Sequence, residues 1–441
     1  MSATLGLYRA LTGAVGAVAV PVGRRVARPG SPWRGRWGRI EGLELAAGGP
    51  WIHAASLGEA LGARCWGESL LASGYRAPML VTTRTLAGLE RVRREWKERA
   101  VASIAPIDFP QAVRRVLDEA SPMRLDLLET ELWPNLLAEA HRAGVPVVVV
   151  SGTVSARTAS RLHALGLGGR ALFGPLHVLA QSERDAARYR ALGVAAERCA
   201  VIGDVKADAL AAPEGATPDL DPASRRLVVF ASARPGEEEA AVAVARTLAA
   251  RSDAARWRYV VAPRHERAAG EFKEALARAG FRCDVRREMH RAGPGTTVSE
   301  WSTRLGMGPT SAADPAHGTA RSVGLLVTKG ELAELFGGAR VVLVGGTFAP
   351  WGGHNVLEPA AHGAPVLVGP HHADVEAGVA LLASHGGGSA VPDAAGAAAT
   401  LGAWLDETSG ARIAGALAAA AAAQGASRRG LDKLAEWGLV P

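Results

Sequence analysis

Cysteine is scarce in this sequence. The 441 residues hold three, Cys65, Cys199 and Cys283, too far apart to match a zinc pattern or a disulfide framework, so a reducing compartment is expected. Acidic residues are missing altogether from positions 1–40, where Arg9, Arg24, Arg25, Arg28, Arg34, Arg36 and Arg39 stand unopposed. Those arginines account for the whole formal net charge of +7 and leave the rest of the chain neutral. Basicity confined to one end argues against a nucleic-acid-binding surface. A long apolar run is also absent: Ala10–Val22 is interrupted by Pro21 and falls short of the ~20 apolar residues of a clean bilayer span. No cluster of His, Cys, Asp or Glu has metal-ligand spacing, so no metal is expected. Asp219-Leu220-Asp221 imitates an Asp-x-Asp motif, but it lies in a Pro-rich stretch and is assigned no role.

The apolar run at the start is followed by its arginines, whereas a signal peptide places its cations first. That order suits retention on the cytoplasmic face of a membrane, where anionic lipid attracts the cations. Because the first strand signal comes only at Trp51, residues 1–40 are expected to be removable without unfolding the remainder. Hydrophobic content of 48% against 21% charged residues marks a globular chain, and its length fits two α/β domains.

Short apolar strands alternate with amphipathic helices from Pro50 onward. Strand signals fall at Trp51–Ala54, Met79–Thr82, Leu125–Leu128, Val145–Val150 and His177–Ala180, with helices such as Gly58–Ser73, Gln111–Ala120 and Asn135–Ala143 between them. A second series comprises Arg226–Ala231, Tyr259–Ala262, Val323–Val327, Val341–Val344 and Pro365–Val368. Such alternation builds parallel sheets covered on both faces. The expected organisation is a membrane-associating segment over 1–40, a Rossmann-like domain over 41–209, a linker over 210–225, a second Rossmann-like domain over 226–410 and a helical tail over 411–441. The Gly/Pro/Ser-rich stretch from Gly293 to Gly318 reads as a surface loop. Two such domains facing each other leave a cleft at the strand C-termini.

Several motifs sit at those strand ends. In His53-Ala54-Ala55-Ser56-Leu57-Gly58-Glu59 the final carboxylate completes a capping box with Ser56, or serves as a general base at the strand mouth. Glu129-Thr130-Glu131-Leu132-Trp133-Pro134-Asn135 sets two carboxylates directly after a strand, and burying like charges together costs free energy unless a partner or a task compensates. Lys206, in Gly203-Asp204-Val205-Lys206, is a solvated lysine or a phosphate contact near the linker. In the second half, Gly345-Gly346-Thr347-Phe348 and Gly352-Gly353-His354-Asn355-Val356-Leu357-Glu358-Pro359 offer backbone N–H groups for an anion, with Glu358 placed for ribose hydroxyls. Pro263-Arg264-His265 and Lys329-Gly330-Glu331 close two further strands.

Taken in order with Gln181-Ser182-Glu183, these motifs resemble the 3-deoxy-D-manno-octulosonic acid (Kdo) transferases of lipopolysaccharide synthesis over nearly the whole chain. The resemblance implies a GT-B fold, two Rossmann-like domains facing a cleft, and a glycosyltransferase on the cytoplasmic face of the bacterial inner membrane, held peripherally or by its N-terminus. It implies a CMP-Kdo co-substrate with no bound cofactor, and a lipid A precursor (tetraacyl disaccharide) acceptor. Glu59 matches the base, Glu129 and Lys206 match residues that stabilise the transition state, and Pro263, Arg264, Lys329, Gly330, Glu331, Asn355, Val356, Leu357 and Glu358 match CMP-binding segments. The sequence departs from the family at Ser151-Gly152-Thr153 (usually Asn-Ala-Arg), at Ala233-Arg234 (usually Thr-His) and at Val327-Thr328-Lys329 (usually Asp-Thr-Met). Direct displacement by the acceptor would invert the anomeric centre and release CMP without metal. The rival readings are a GT-B enzyme with another nucleotide-sugar donor, or a non-catalytic membrane-bound relative.

Overall fold

The computed structural model describes residues 3–210, 220–287, 298–303, 305, 321–328 and 330–440. Its contacts divide the chain into two compact units, 1–209 with 424–441, and 210–423.

The first unit is a seven-stranded parallel sheet: β1 (Pro50–His53), β2 (Met79–Thr83), β3 (Ala100–Ile104), β4 (Arg124–Leu128), β5 (Val147–Gly152), β6 (His177–Ala180) and β7 (Cys199–Val201), in the order β3-β2-β1-β4-β5-β6-β7. The second unit repeats the plan with β8 (Leu227–Ala233), β9 (Arg258–Pro263), β10 (Arg282–Arg286), β11 (Ser322–Leu326), β12 (Ala339–Val344), β13 (Val366–Val368) and β14 (Gly388–Ala390), ordered β10-β11-β9-β8-β12-β13-β14. Each sheet is doubly wound, and its strand order reverses between β1 and β4 in one unit and between β8 and β12 in the other. Ligands of such sheets bind at the strand C-termini beside that reversal.

Alternation along the strands feeds two cores per sheet. Trp51, Leu125, Leu127, Val147 and Val149 pack on one face of the first sheet, while Ile52, Leu128, Val148 and Val150 pack on the other. The ten strands read from sequence are all present, with ends displaced by at most two residues. The four not read, β3, β7, β10 and β14, are the outer strands of the two sheets.

The N-terminus departs most from expectation. Residues Ala3–Val26 form one 24-residue helix, α1, which runs through Pro21 and is long and apolar enough to cross a membrane. Its polar side faces the protein. Tyr8 donates to Asp108 (2.8 Å), Arg9 donates to Glu139 (2.6 Å), Gln111 donates to the Gly13 carbonyl (2.8 Å) and Asn135 donates to the Thr12 hydroxyl (2.9 Å). Its outer side carries Leu7, Leu11, Val15, Val18, Val22 and Val26, each more than half exposed, at the 3–4-residue spacing of a single helix face. The expectation of a freely removable segment is therefore corrected: α1 helps satisfy Glu139, whose side chain is fully buried.

Two other expectations change. The stretch 293–318, read as a loop, contains the helix Val298–Thr303, and its Trp301 ring packs where a side chain on Gly324 would stand. The stretch 411–441, read as one tail, is split. The helix Ala411–Ala423 belongs to the second unit, whereas Ala426–Glu436 belongs to the first. There Asp208 accepts the N–H groups of Gly425, Ala426 and Ser427 (2.6–3.0 Å), and Arg429 donates to the Ile202 carbonyl (2.7 Å), bracketing the turn that carries Lys206. Of the proposed linker, 211–219 lie outside the described residues.

Candidate active site

In the first unit, β1 ends at His53 and the chain turns into α2 (Leu57–Ala72) with Ser56 as its N-cap. The capping box forms: Glu59 N–H donates to Ser56 Oγ (3.2 Å), the Ser56 hydroxyl donates to Glu59 Oε1 (3.0 Å), and the Ala55 N–H donates to Glu59 Oε2 (2.6 Å). An ionised carboxylate has about four lone-pair directions, so these bonds orient Glu59 and leave it capacity to accept a proton.

Next to β1, β4 delivers Glu129 in a left-handed backbone conformation, φ +60°, which non-glycine residues seldom adopt. Its N–H donates to the Val150 carbonyl (2.9 Å), and its carboxylate is in an ion pair with the Lys206 ammonium. Lys206 rides on the short 3-10 turn Val205–Ala209. The Lys206 N–H donates to Asp204 (2.9 Å), and the Val205 N–H donates to Ser151 Oγ (2.9 Å). The Lys206 stem passes α2 at Gly62, 3.5 Å from where a Cβ would be.

The Glu129 carboxylate thus pairs with the ammonium, and the charges of Asp204 and Glu59 also act on it. Burial pushes Lys206 down, but Glu129, Asp204 and Glu59 outweigh it and hold the lysine above its ordinary value, charged. Burial raises the Glu129 carboxyl, reinforced by the charges of Glu59 and Asp204 and opposed by Lys206. The structure therefore brings together the three residues predicted as catalytic and adds Asp204. Glu131 turns elsewhere. It accepts from Trp133 Nε1 (2.6 Å) and lies 3.5 Å from His53 Nε2 and 3.8 Å from Arg84.

In the second unit, the ends of β8 and β9 gather cations. Arg234 stacks on Trp351 (4.4 Å to the ring centroid) and reaches His265 Nε2 (3.0 Å). Arg264, exposed after the buried Pro263, donates its N–H to the Ala233 carbonyl (2.9 Å). Burial, then the charges of Arg264, Arg234 and His265, lower the His354 pKa to about 4, so the ring is neutral at pH 7. Arg234 Nε and His354 Nε2 are buried without a hydrogen-bond partner. Crowding raises the Glu358 carboxyl, and Arg264 pulls it back. Positive charge, an unsatisfied guanidinium donor and one carboxylate suit an anion attached to hydroxyl groups.

Some predicted donor residues are engaged internally. Asn355 Oδ1 accepts the N–H groups of Leu357 (3.0 Å) and Glu358 (3.4 Å), Val356 is buried, and Gly352 and Gly353 take φ of +89° and +103°, where glycine is favoured. The Glu331 carboxylate, beside Gly330, is bound by Arg286 (2.8 and 2.5 Å) and by the Thr328 hydroxyl. Lys329 lies outside the described residues. The Gly345–Phe348 turn, read as an anion cradle, already holds an anion of the protein. Glu237, almost fully buried, accepts from the N–H groups of Gly346 (3.0 Å), Phe348 (2.8 Å) and Arg234 (2.7 Å). Sequence reading missed that role, although the Arg234–Glu237 spacing repeats that of Ser56–Glu59.

The family model for 3-deoxy-D-manno-octulosonic-acid transferase matches residues 31–209. The Bordetella pertussis 3-deoxy-D-manno-octulosonic acid transferase is 33% identical over 444 residues, covering 94% of this chain and 94% of that protein. The Haemophilus influenzae enzyme of the same name is 26% identical over 73% of this chain and 71% of its own. Among solved structures, the Anabaena protein HepE in complex with UDP has a TM-score of 0.56 at 12% identity, covering 88% of this chain and 100% of that one, and this likeness shows the GT-B type of fold alone. With the Bordetella protein matched nearly end to end, the chain belongs to the Kdo transferase family, glycosyltransferases of lipopolysaccharide synthesis.

Proposed function

We propose that the chain transfers Kdo from CMP-Kdo to a lipid A precursor, a tetraacyl disaccharide, with inversion and release of CMP. The observation that carries this reading is the cluster of Glu59, Glu129 and Lys206 at the strand-order reversal of the first unit. Glu59 accepts the proton of the acceptor hydroxyl while that oxygen bonds to the anomeric carbon. The bond from that carbon to the phosphate oxygen breaks, and the electron pair leaves with CMP. Charge growing on the phosphate needs fixed cations. Arg234 and Arg264 supply them in the donor site, and Lys206, held charged by its carboxylates, stabilises the transition state with Glu129. Glu358 takes ribose hydroxyls, and Asn355, Val356 and Leu357 shape the turn before it. With Glu331 bound to Arg286, its segment contacts CMP through the backbone about Gly330, Pro263 does so from the end of β9, and Lys329 adds a further cation. No divalent metal or other cofactor takes part.

The outer face of α1 supports attachment to a membrane, which this reading places at the cytoplasmic face of the inner membrane. Its exposed aliphatic stripe enters the acyl boundary, and the exposed Arg25 and Arg28, about its C-terminal end, meet anionic headgroups. The test of the donor is CMP release on mixing enzyme and acceptor with CMP-Kdo, compared with UDP-sugars, before and after exhaustive EDTA treatment. Release from CMP-Kdo alone, unchanged by EDTA, is expected. Turnover of a UDP-sugar instead, or activity lost to EDTA and restored by Mg²⁺, would overturn the reading.

A further inference from the structure

A cavity of about 210 Å³ opens in the first unit beside the end of β1, and none of the groups assigned to catalysis lines it. Trp51, Ile107, Val113, Trp133 and Leu136 form its apolar wall. The polar groups of the wall are committed to the protein. Trp51 Nε1 donates to Thr82 (2.8 Å), His53 Nδ1 shares that hydroxyl (2.9 Å), and Trp133 Nε1 donates to Glu131 (2.6 Å). Asp108 accepts from Tyr8 (2.8 Å) and from the N–H groups of Asn135 (3.1 Å) and Leu136 (2.8 Å). What the interior offers a ligand is hydrocarbon contact.

The mouth is of the opposite character. Arg84 lies over the Trp133 ring (4.7 Å), and Arg36 donates to the Arg84 carbonyl (3.0 Å), so the two guanidinium-bearing residues adjoin. Arg84 has Glu131 at 3.8 Å, a carboxylate already shared with His53 and Trp133. Among the described residues no carboxylate lies within ion-pair distance of Arg36. The Ile107 N–H donates to the Arg36 carbonyl (2.9 Å), joining wall to mouth. Two arginines with one carboxylate near them, itself shared with His53 and Trp133, set over an apolar cavity, match a phosphate ester with a hydrocarbon chain beside it. Through Tyr8 and Asp108 the same wall is braced by α1, whose outer face is aliphatic.

We propose that this cavity seats one acyl chain of the acceptor lipid, while Arg36 and Arg84 take a phosphate on the same molecule. The proposal rests on the acceptor assigned above and extends it: the cavity is where the enzyme recognises acylation and phosphorylation, apart from the carbon that reacts.

Two variants of the full-length protein test it with acylated and fully deacylated acceptor. Ile107→Trp fills the cavity from a half-buried wall position. It is expected to raise KM for the acylated acceptor about tenfold or more while leaving KM for CMP-Kdo and turnover of the deacylated acceptor within about twofold. Arg36→Gln, at the open mouth, keeps the test available where Ile107→Trp disturbs folding. It is expected to raise KM about tenfold for phosphorylated acceptor and not for its dephosphorylated form. Unchanged KM in both variants, with an active wild type, would overturn the proposal. So would inhibition by added phosphatidylglycerol that competes with acceptor in wild type and not in Ile107→Trp, which would assign the cavity to bulk lipid. If the wild type turns over neither acceptor, the functional reading fails by itself. Calorimetry with dodecyl phosphate then decides the cavity: one site, tighter than for dodecanol or inorganic phosphate and weakened in both variants, supports it, and equal binding by all three proteins contradicts it.

Discussion

Glu59 carries two duties on one carboxylate, closing the capping box of α2 and facing the Glu129–Lys206 pair. Glu59→Gln keeps a side chain able to hold the cap but removes the base. CMP binding should persist while turnover falls roughly 10²–10⁴-fold, and near wild-type turnover would remove Glu59 from the chemistry. Lys206 yields a prediction of sign. Glu129 is the largest contributor holding its pKa above the ordinary value, so Glu129→Gln should lower the Lys206 pKa. The alkaline limb of the pH–rate profile, where ammonium is lost, should then move to lower pH. A limb that stays put would mean that Lys206 is not the titrating group. Glu129 stood out in sequence because carboxylates directly after an apolar strand need a reason to be there, whereas Glu59 and Lys206 were singled out by the resemblance, their residues alone also fitting a helix cap and a solvated lysine. Glu237 was not legible, because two of the backbone N–H groups it accepts from, those of Gly346 and Phe348, lie over a hundred positions away. Nor was the commitment of Glu331 to Arg286, since a charge in a motif does not reveal its counter-charge.

At the scale of elements, α1 inverts the usual arrangement of a surface helix. Arg9 shares the buried Glu139 with Arg114 and Arg142. Burial raises that carboxyl, but the three guanidinium groups outweigh it and bring the pKa to about 2. A depressed carboxylate contributes stability above its unfolded pKa and loses it as pH falls toward 2. With two arginines remaining, Arg9→Ala should cost about 1–2 kcal/mol at pH 7, seen as a lowered melting temperature. Leu11→Glu with Val18→Glu, on the outer face, should leave melting unchanged and cut sedimentation with anionic vesicles several-fold. The opposite pattern would place the aliphatic stripe inside the fold. The helix was only half legible. Pro21 was read as a break, yet it sits on the exposed side, where its missing N–H strands no buried acceptor. The outer strands escaped for a related reason. Central parallel strands are buried on both faces and read as apolar runs, whereas Arg282–Arg286 and Gly388–Ala390 are partly exposed and mixed in composition.

Over the whole molecule, two doubly wound units divide the work by charge. The first sets one lysine under the charges of three carboxylates, an environment for proton removal. The second brings Arg234, Arg264 and a neutral His354 together, where the proposed function places the phosphate of the donor. The positive charge of the sequence lies at the end that carries α1. The resemblance implied before any coordinates that the second domain binds the CMP-sugar, but the gathering of cations there was not visible in the sequence. The return of the chain at Gln424 into the first unit was not visible, because the Ala-rich composition before it marks a helix without marking its neighbours. The central claim is that these units serve one transfer, from CMP-Kdo to an acylated disaccharide. It is tested most directly by mass spectrometry of a tetraacyl disaccharide lipid incubated with CMP-Kdo and the purified protein. The account predicts lipid heavier by one or more Kdo residues, absent when Glu59→Gln replaces the wild type at short times. Lipid of unchanged mass, from protein shown to bind CMP, would contradict it.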